Sequence, residues 1–139
     1  MTPGARKVVV DSSVAVKWFL GEGEEHVAEA RSLLDAHAAG TLELVAPDLL
    51  VLEVLNALKH RGVGDAALVA AAEALRLARL EFHPVSELAD DAARLAAAHD
   101  LTLYDAAFVA LALDLDAELV TVDRKLARSL ACRACLLGE

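Results

Sequence analysis

Aromatic, cysteine, glycine and proline residues are all scarce in this 139-residue chain. Aromatics are 4% of residues while hydrophobic residues are 57%, so Ala, Leu and Val must fill the interior. That mixture is typical of helices packed around a buried sheet. The seven glycines and three prolines gather into no linker, which predicts a single domain over residues 1–139.

Long uncharged apolar runs are absent as well. No stretch approaches the roughly 18–20 residues that are needed to cross a bilayer. Residues 1–7 lack the apolar core of a signal peptide. We therefore expect a cytoplasmic protein without a membrane segment.

Cationic residues are outnumbered, with 13 Lys and Arg against 22 Asp and Glu and a net charge of −9. This balance argues against a broad basic surface that would hold nucleic acid by neutralising phosphates alone. Carboxylates gathered around a divalent ion would, however, reverse the sign of the charge at one point. The acidity therefore does not exclude a nuclease.

The two cysteines, Cys132 and Cys135, form a C-x-x-C pair near the end of the chain. A thioredoxin-type pair opens a helix directly after a strand, whereas this pair follows a predicted short helix. No further cysteine is present to complete a zinc site. The pattern favours a structural role, and the histidines, which lack ligand spacing, are expected in surface or local contacts.

Hydrophobic periodicity predicts strands that alternate with helices. The predicted strands are Lys7–Val10, Leu42–Ala46, Phe82–Val85 and Glu118–Val122. The predicted helices are Ser12–Leu20, Glu24–Ala38, one from Pro47-Asp48 to His60, one capped by Asp65 and ending near Arg79, Ser86–His99, one from Tyr104 or Asp105 to Leu115, and one from Arg124. This order predicts a three-layer α/β/α domain with a central, mainly parallel sheet. Ligand sites in such sheets lie beyond the carboxyl ends of the strands.

Three aspartates occupy positions where a strand ends or a helix begins. Asp11 and Asp123 directly follow predicted strands, and Asp105 stands at the start of a strongly apolar helix. Each has an alternative explanation as an N-cap, whose carboxylate accepts backbone N–H bonds.

Glu53 lies in the middle of an apolar helix, where capping cannot explain it. Burying a carboxylate there is costly unless a cation or strong donors compensate it. A structural pair with Lys or Arg is the alternative explanation. Helical spacing places Asn56 and His60 on the same stripe as Glu53.

All four carboxylates can meet at the carboxyl edge of a parallel sheet. Anionic groups that are close together repel one another unless a divalent ion lies among them. All-oxygen ligation favours Mg²⁺ or Mn²⁺ over Zn²⁺. We therefore predict a metal site formed by Asp11, Glu53, Asp105 and Asp123.

Four segments, in this order, resemble the signatures of PIN-domain proteins: Val-Val-Val-Asp11-Ser12-Ser13, Pro47-x5-Glu53-x2-Asn56, Leu103-Tyr104-Asp105-Ala-x3-Ala110 and Leu119-Val120-Thr121-Val122-Asp123-Arg124. The chain is similar to single-domain VapC-type toxins of prokaryotic toxin–antitoxin pairs. The resemblance implies a Mg²⁺- or Mn²⁺-dependent endoribonuclease, a homodimer and an inhibitory antitoxin. It also implies that the acidic quartet is Asp11, Glu53, Asp105 and Asp123. The polar neighbours would then be Ser12, Ser13, Asn56 and Thr121.

One or two ions at such a site would bind a phosphodiester oxygen, lower the pKa of a water molecule and steady the leaving 3′ oxygen. The product would carry a 5′-phosphate. Lys17, Lys59, Arg124 and Lys125 are candidate RNA contacts on the strand-end side, although a solvated surface position also explains such residues.

Two other functions remain open. One is a catalytically silent PIN-like interaction module that acts through its partner surface. The other is a phosphatase with an aspartate nucleophile. The second is disfavoured because Asp11 is followed by Ser12 and Ser13 and not by the Asp-x-Asp pattern of haloacid dehalogenases.

Overall fold

Every strand in the computed structural model, which describes residues 4–21, 23–129 and 131–138, runs parallel to its neighbours. The strands are β1 (Arg6–Val10), β2 (Leu42–Pro47), β3 (Glu81–His83), β4 (Glu118–Thr121) and β5 (Ala134–Leu136). Their order in the sheet is β3-β2-β1-β4-β5. β2 and β3 lie on one side of β1, and β4 and β5 lie on the other, so the direction of the strand order changes between β1 and β4. Ligands bind at such a switch point in open α/β sheets.

Within the described residues, seven α-helices connect the strands. They are α1 (Ser12–Ala15), α2 (Val27–Ala39), α3 (Leu49–His60), α4 (Asp65–Leu77), α5 (Val85–His99), α6 (Leu103–Asp114) and α7 (Arg124–Arg128). Right-handed crossovers place α1 to α4 on one face of the sheet and α5 to α7 on the other. The predicted three-layer α/β/α architecture is therefore confirmed.

The core is built from the central strands and α6. Val8, Val9 and Val10 of β1 are at most 1% exposed, and the whole run Ala106–Ala112 of α6 is buried. A helix that is apolar all round can only lie inside the molecule. Its burial fixes the start of α6, and with it Asp105, against the end of the sheet.

Several predicted boundaries are wrong, for local reasons. The helix expected over Ser12–Leu20 is a short α1 followed by a 3₁₀ turn at Val16–Phe19. Pro47 ends β2, where a missing N–H is tolerated, and does not begin α3. Asp65 lies in the first turn of α4, and the N-cap is Gly64. The second predicted helix begins at Val27, three residues later than Glu24.

His37 is buried, contrary to the expectation of surface or local contacts. Its Nδ1 accepts the Leu44 N–H at 3.0 Å, so Nε2 carries the proton and donates to the Ala78 carbonyl at 2.9 Å. The ring therefore joins α2, β2 and the segment after α4. Among the residues that the structure describes, no single helix is long and apolar enough to cross a membrane; α5 and α6 meet that test only together, and they are bent by 111°.

The cysteines lie at the far edge of the sheet. Cys135 belongs to β5 and donates its thiol to Glu118 Oε1 at 3.4 Å. Burial raises the pKa of the Cys132 thiol, which keeps it protonated. Both observations favour the predicted structural role.

Candidate active site

Asp11 extends from the end of β1 and is 4% exposed. Its Oδ2 accepts hydrogen bonds from Ser13 Oγ at 2.6 Å and from Thr121 Oγ1 at 2.8 Å. It makes no side-chain capping bond to α1, so the capping explanation is wrong for this residue. Asp11 is instead held by hydroxyl groups from the ends of two neighbouring elements.

The two hydroxyl groups are themselves oriented by backbone donors. Thr121 Oγ1 accepts the Asp123 N–H at 3.0 Å, and Ser13 Oγ accepts the Val122 N–H at 3.2 Å. Because each hydroxyl has a single proton, these contacts leave that proton to point at Asp11. The network ties the end of β1 to the turn that follows β4.

Asp123 is the N-cap of α7, as one of its two explanations predicted. Its Oδ1 accepts the N–H groups of Lys125 at 2.9 Å and Leu126 at 3.2 Å. Within the described ranges, Oδ2 has no hydrogen-bond donor. Capping fixes one oxygen of this exposed side chain and leaves the other for a ligand.

Asp105 is not a cap. Thr102 is the N-cap of α6, and its Oγ1 accepts the Asp105 N–H at 3.0 Å. The Asp105 carboxylate is half-buried in the first turn and has no capping role. Thr102-x-x-Asp105 has the capping-box spacing, of which only the Thr102 half is formed in the described residues, and sequence reasoning missed this signal for Thr102 as the cap.

Glu53 projects from the middle of α3 and is half-buried. Ser12 Oγ donates to its Oε1 at 3.0 Å. No ion pair of the described residues includes Glu53. The alternative of a structural pair with Lys or Arg is therefore wrong.

The four carboxylates act on one another electrostatically. Burial is the first cause that raises the pKa values of Asp11, Glu53 and Asp105. The charge of Asp11 further raises the pKa values of Glu53 and Asp105, and that of Asp123 raises those of Asp11 and Asp105. Hydroxyl donors oppose these shifts but do not cancel them. The structure thus places the predicted quartet within electrostatic range of one another, as a cluster whose negative charge is only partly compensated.

The donor chemistry of this cluster fits a hard cation, since carboxylate and hydroxyl oxygens are the ligands that Mg²⁺ and Mn²⁺ prefer. In the part of the chain that the structure describes, no three Asp, Glu, His or Cys side chains are already close enough together to hold one ion. Bringing three of these carboxylates around one ion would require rotation of the half-buried Glu53 and Asp105 or the exposed Asp123.

The predicted cationic residues divide into two groups. Lys59 lines a groove with Glu53 and Asn56, and Lys125 lines a cavity of about 240 Å³ with Asp105 and Asp123. Lys125 also lowers the pKa of Asp105, against the larger raising effects. Lys17 and Arg124 instead line a separate cavity beside Val122, where Lys17 Nζ donates to the Glu25 carbonyl at 2.6 Å.

Comparison with known proteins identifies the family. The PIN domain family matches residues 8–129. Ribonuclease VapC3 from Pyrobaculum aerophilum is 36% identical over 127 residues, which are 87% of this chain and 92% of that protein. The fold is similar to Mycobacterium tuberculosis VapC20, a sarcin-ricin loop cleaving toxin, with a TM-score of 0.69, 21% identity and coverage of 86% and 92%. It is also similar to a chain of a toxin–antitoxin complex from Klebsiella pneumoniae, with a TM-score of 0.64, 20% identity and coverage of 87% and 90%. The family match and the identity to VapC3 show that this chain belongs to the PIN domain family.

Proposed function

We propose that this protein is a metal-dependent endoribonuclease that hydrolyses RNA phosphodiester bonds with Mg²⁺ or Mn²⁺. The observation that carries the proposal is the cluster of Asp11, Glu53, Asp105 and Asp123 at the switch point of the sheet. Such a concentration of negative charge costs stability, so it indicates a functional requirement. The names of two similar proteins, a ribonuclease and a sarcin-ricin loop cleaving toxin, support RNA as the substrate.

The chain's own residues would perform distinct tasks. A bound Mg²⁺ or Mn²⁺ would supply Lewis-acid stabilisation of the phosphodiester and make water more acidic. Asp11 is the most rigidly oriented ligand, because Ser13 and Thr121 fix its carboxylate. Asp105 and Asp123 line the neighbouring cavity and would complete the oxygen set.

Glu53 has a different position. Ser12 binds its Oε1, which leaves Oε2 to hold a water molecule or accept its proton. Lys125, which lines the same cavity as Asp105 and Asp123, is placed to contact the substrate phosphate.

The test is cleavage of a pool of structured RNAs with Mg²⁺ or Mn²⁺, with EDTA, and with an Asp105→Asn variant. Asp114→Asn is the matched control, because it makes the same change at an exposed position at the other end of α6. We expect discrete cuts with wild type and Asp114→Asn, and none with EDTA or Asp105→Asn. Equal cleavage by Asp105→Asn would indicate a contaminating nuclease, and no cleavage of any RNA by wild type would favour the silent interaction module.

We further propose that the chain is a cytoplasmic toxin with a cognate antitoxin and that it forms a homodimer. Support for the antitoxin comes from the similar fold within a toxin–antitoxin complex. An antitoxin segment that laid an Arg across the carboxylates would neutralise their charge and block RNA. Deleting that segment from a co-purified antitoxin should restore cleavage, and light scattering of the purified chain should give the mass of two copies.

A further inference from the structure

A groove of about 670 Å³ opens directly beside the carboxylate cluster. It lies between α3, α4 and the beginning of α6, and Glu53 forms part of its wall. Its volume falls within the range of about 300–1,000 Å³ that is usual for small-molecule pockets. The groove therefore extends the candidate active site from Glu53 along α3 and α4.

Tyr104 forms the aromatic part of this groove. Its side chain is 65% exposed, and within the described residues its hydroxyl makes no hydrogen bond. The α3 side of the groove includes Leu52, which is 72% exposed. Tyr104 directly precedes Asp105 at the beginning of the buried helix α6, so one helix positions both the ring and a carboxylate of the cluster.

Four leucines line the groove beside three polar side chains, and those polar groups argue for a nucleotide over a wholly apolar partner. Asn56 presents an exposed side-chain amide, and Lys59 forms no ion pair with any residue that the structure describes. An apolar protein surface would bury this amide, this cation and Glu53 without compensation. A nucleobase offers a flat face to the ring and edge groups to the amide, while its phosphate pairs with the cation.

We propose that this groove seats the nucleobase adjacent to the scissile phosphate, with Tyr104 stacked on its face. Asn56 hydrogen-bonds the edge of the base, and Lys59 contacts the neighbouring phosphate. The inference rests on the proposed ribonuclease function. Because a base inside a duplex is already stacked, the site takes a nucleotide that is unpaired or turned out of its helix.

The test is binding of a single-stranded oligouridine that carries one 5-iodouridine, which photo-crosslinks to stacked aromatic rings. Stacking tolerates any base, so this probe does not require the natural sequence. The Asp105→Asn chain is used as the background, so that the RNA is not cut. Fluorescence anisotropy gives the affinity, and mass spectrometry of the cross-linked peptide gives the contact.

We expect the cross-link on Tyr104, and we expect Tyr104→Ala to weaken binding by about 5- to 150-fold, the usual range for loss of one stacked base. Tyr104→Phe should bind within about threefold of its parent, because the aromatic face is retained. Leu113→Ala, at an exposed apolar position of the same helix, should bind like the parent. Circular dichroism melting checks that each variant folds.

The inference is overturned if Tyr104→Ala binds the probe like its parent, or if the cross-link maps outside the groove. It is also overturned if Tyr104→Ala changes the sedimentation coefficient of the free protein without changing its affinity for RNA, because the groove is then an interface between copies. Absence of RNA cleavage by the wild-type chain, with the cross-link still on Tyr104, would refute the ribonuclease and retain the base site. Normal cleavage by Tyr104→Ala with normal affinity would refute the base site and retain the ribonuclease.

Discussion

Thr121→Val tests the hydroxyl network that holds Asp11. Thr121 is fully buried, and Val has nearly the same shape, so the substitution removes only the hydroxyl. The hydroxyl donates to Asp11 Oδ2 at 2.8 Å and accepts the Asp123 N–H at 3.0 Å. Its loss leaves a carboxylate with one donor fewer and a backbone N–H without its acceptor.

The expected cost follows from those two contacts. A hydrogen bond to a charged group contributes about 1.5–3 kcal/mol, and an unsatisfied buried donor costs about 1–3 kcal/mol. The two terms overlap because one hydroxyl makes both contacts, so we expect the free energy of unfolding to fall by about 2–4 kcal/mol. Thr121→Ser keeps the hydroxyl and loses one buried methyl, which costs about 1 kcal/mol.

Urea denaturation of wild type, Thr121→Val, Thr121→Ser and Asp11→Asn measures these differences at constant slope. The double variant Thr121→Val with Asp11→Asn then gives the coupling between hydroxyl and carboxylate. We expect a coupling energy of about 1 kcal/mol or more. The reasoning is refuted if Thr121→Val costs no more than Thr121→Ser, or if the two substitutions are additive.

Three further predictions concern the same region and its support. Without metal, the free energy of unfolding should fall as pH rises above about 4. The reason is that Asp11, Glu53 and Asp105 have raised pKa values, so the native state holds protons that the unfolded chain has lost. Urea denaturation at several pH values should show a shallower decline for Asp105→Asn than for wild type, and identical slopes would contradict this prediction. Ser12→Ala removes the hydrogen bond to Glu53 Oε1 and should lower kcat for RNA cleavage by about 10- to 100-fold with little change in KM. Ser12→Thr keeps a hydroxyl group and should restore kcat. Equal kcat values in wild type and both variants would show that Ser12 does not position Glu53. His37→Phe leaves the buried Leu44 N–H without its acceptor and should lower the free energy of unfolding, measured in urea, by about 2–4 kcal/mol. A decrease below about 1 kcal/mol would show that the ring only fills space.

Most of the fold was predictable because hydrophobic periodicity reports burial. The run of valines in β1 and the residues of α6, which are apolar on every side, predict that these two elements lie inside the molecule. Element ends were less predictable, since they depend on contacts distant in sequence. Pro47 ends β2 because its neighbour strand β3 ends there too, at His83. The three-residue strand β5 was missed because it is too short to show alternation.

The membership of the carboxylate cluster was predictable for a different reason. Residues that follow parallel strands must meet at one edge, and Glu53 was conspicuous because no local rule explained it. The division between capping and ligand roles was not predictable. Asp11, Asp105 and Asp123 occur in similar positions in the sequence, yet only the Asp123 side chain caps a helix. Thr102 already caps α6, and the Asp11 carboxylate accepts hydrogen bonds from hydroxyl groups instead.

Calorimetric titration of Mn²⁺ into the purified chain tests most directly whether the four carboxylates form one metal site. The matched proteins are Asp11→Asn, Glu53→Gln, Asp105→Asn, Asp123→Asn and the control Asp114→Asn. We predict saturable binding by wild type and Asp114→Asn, and an affinity at least about tenfold weaker for each change in the quartet. Equal affinity in all six proteins, or no saturable binding by wild type, would contradict the account.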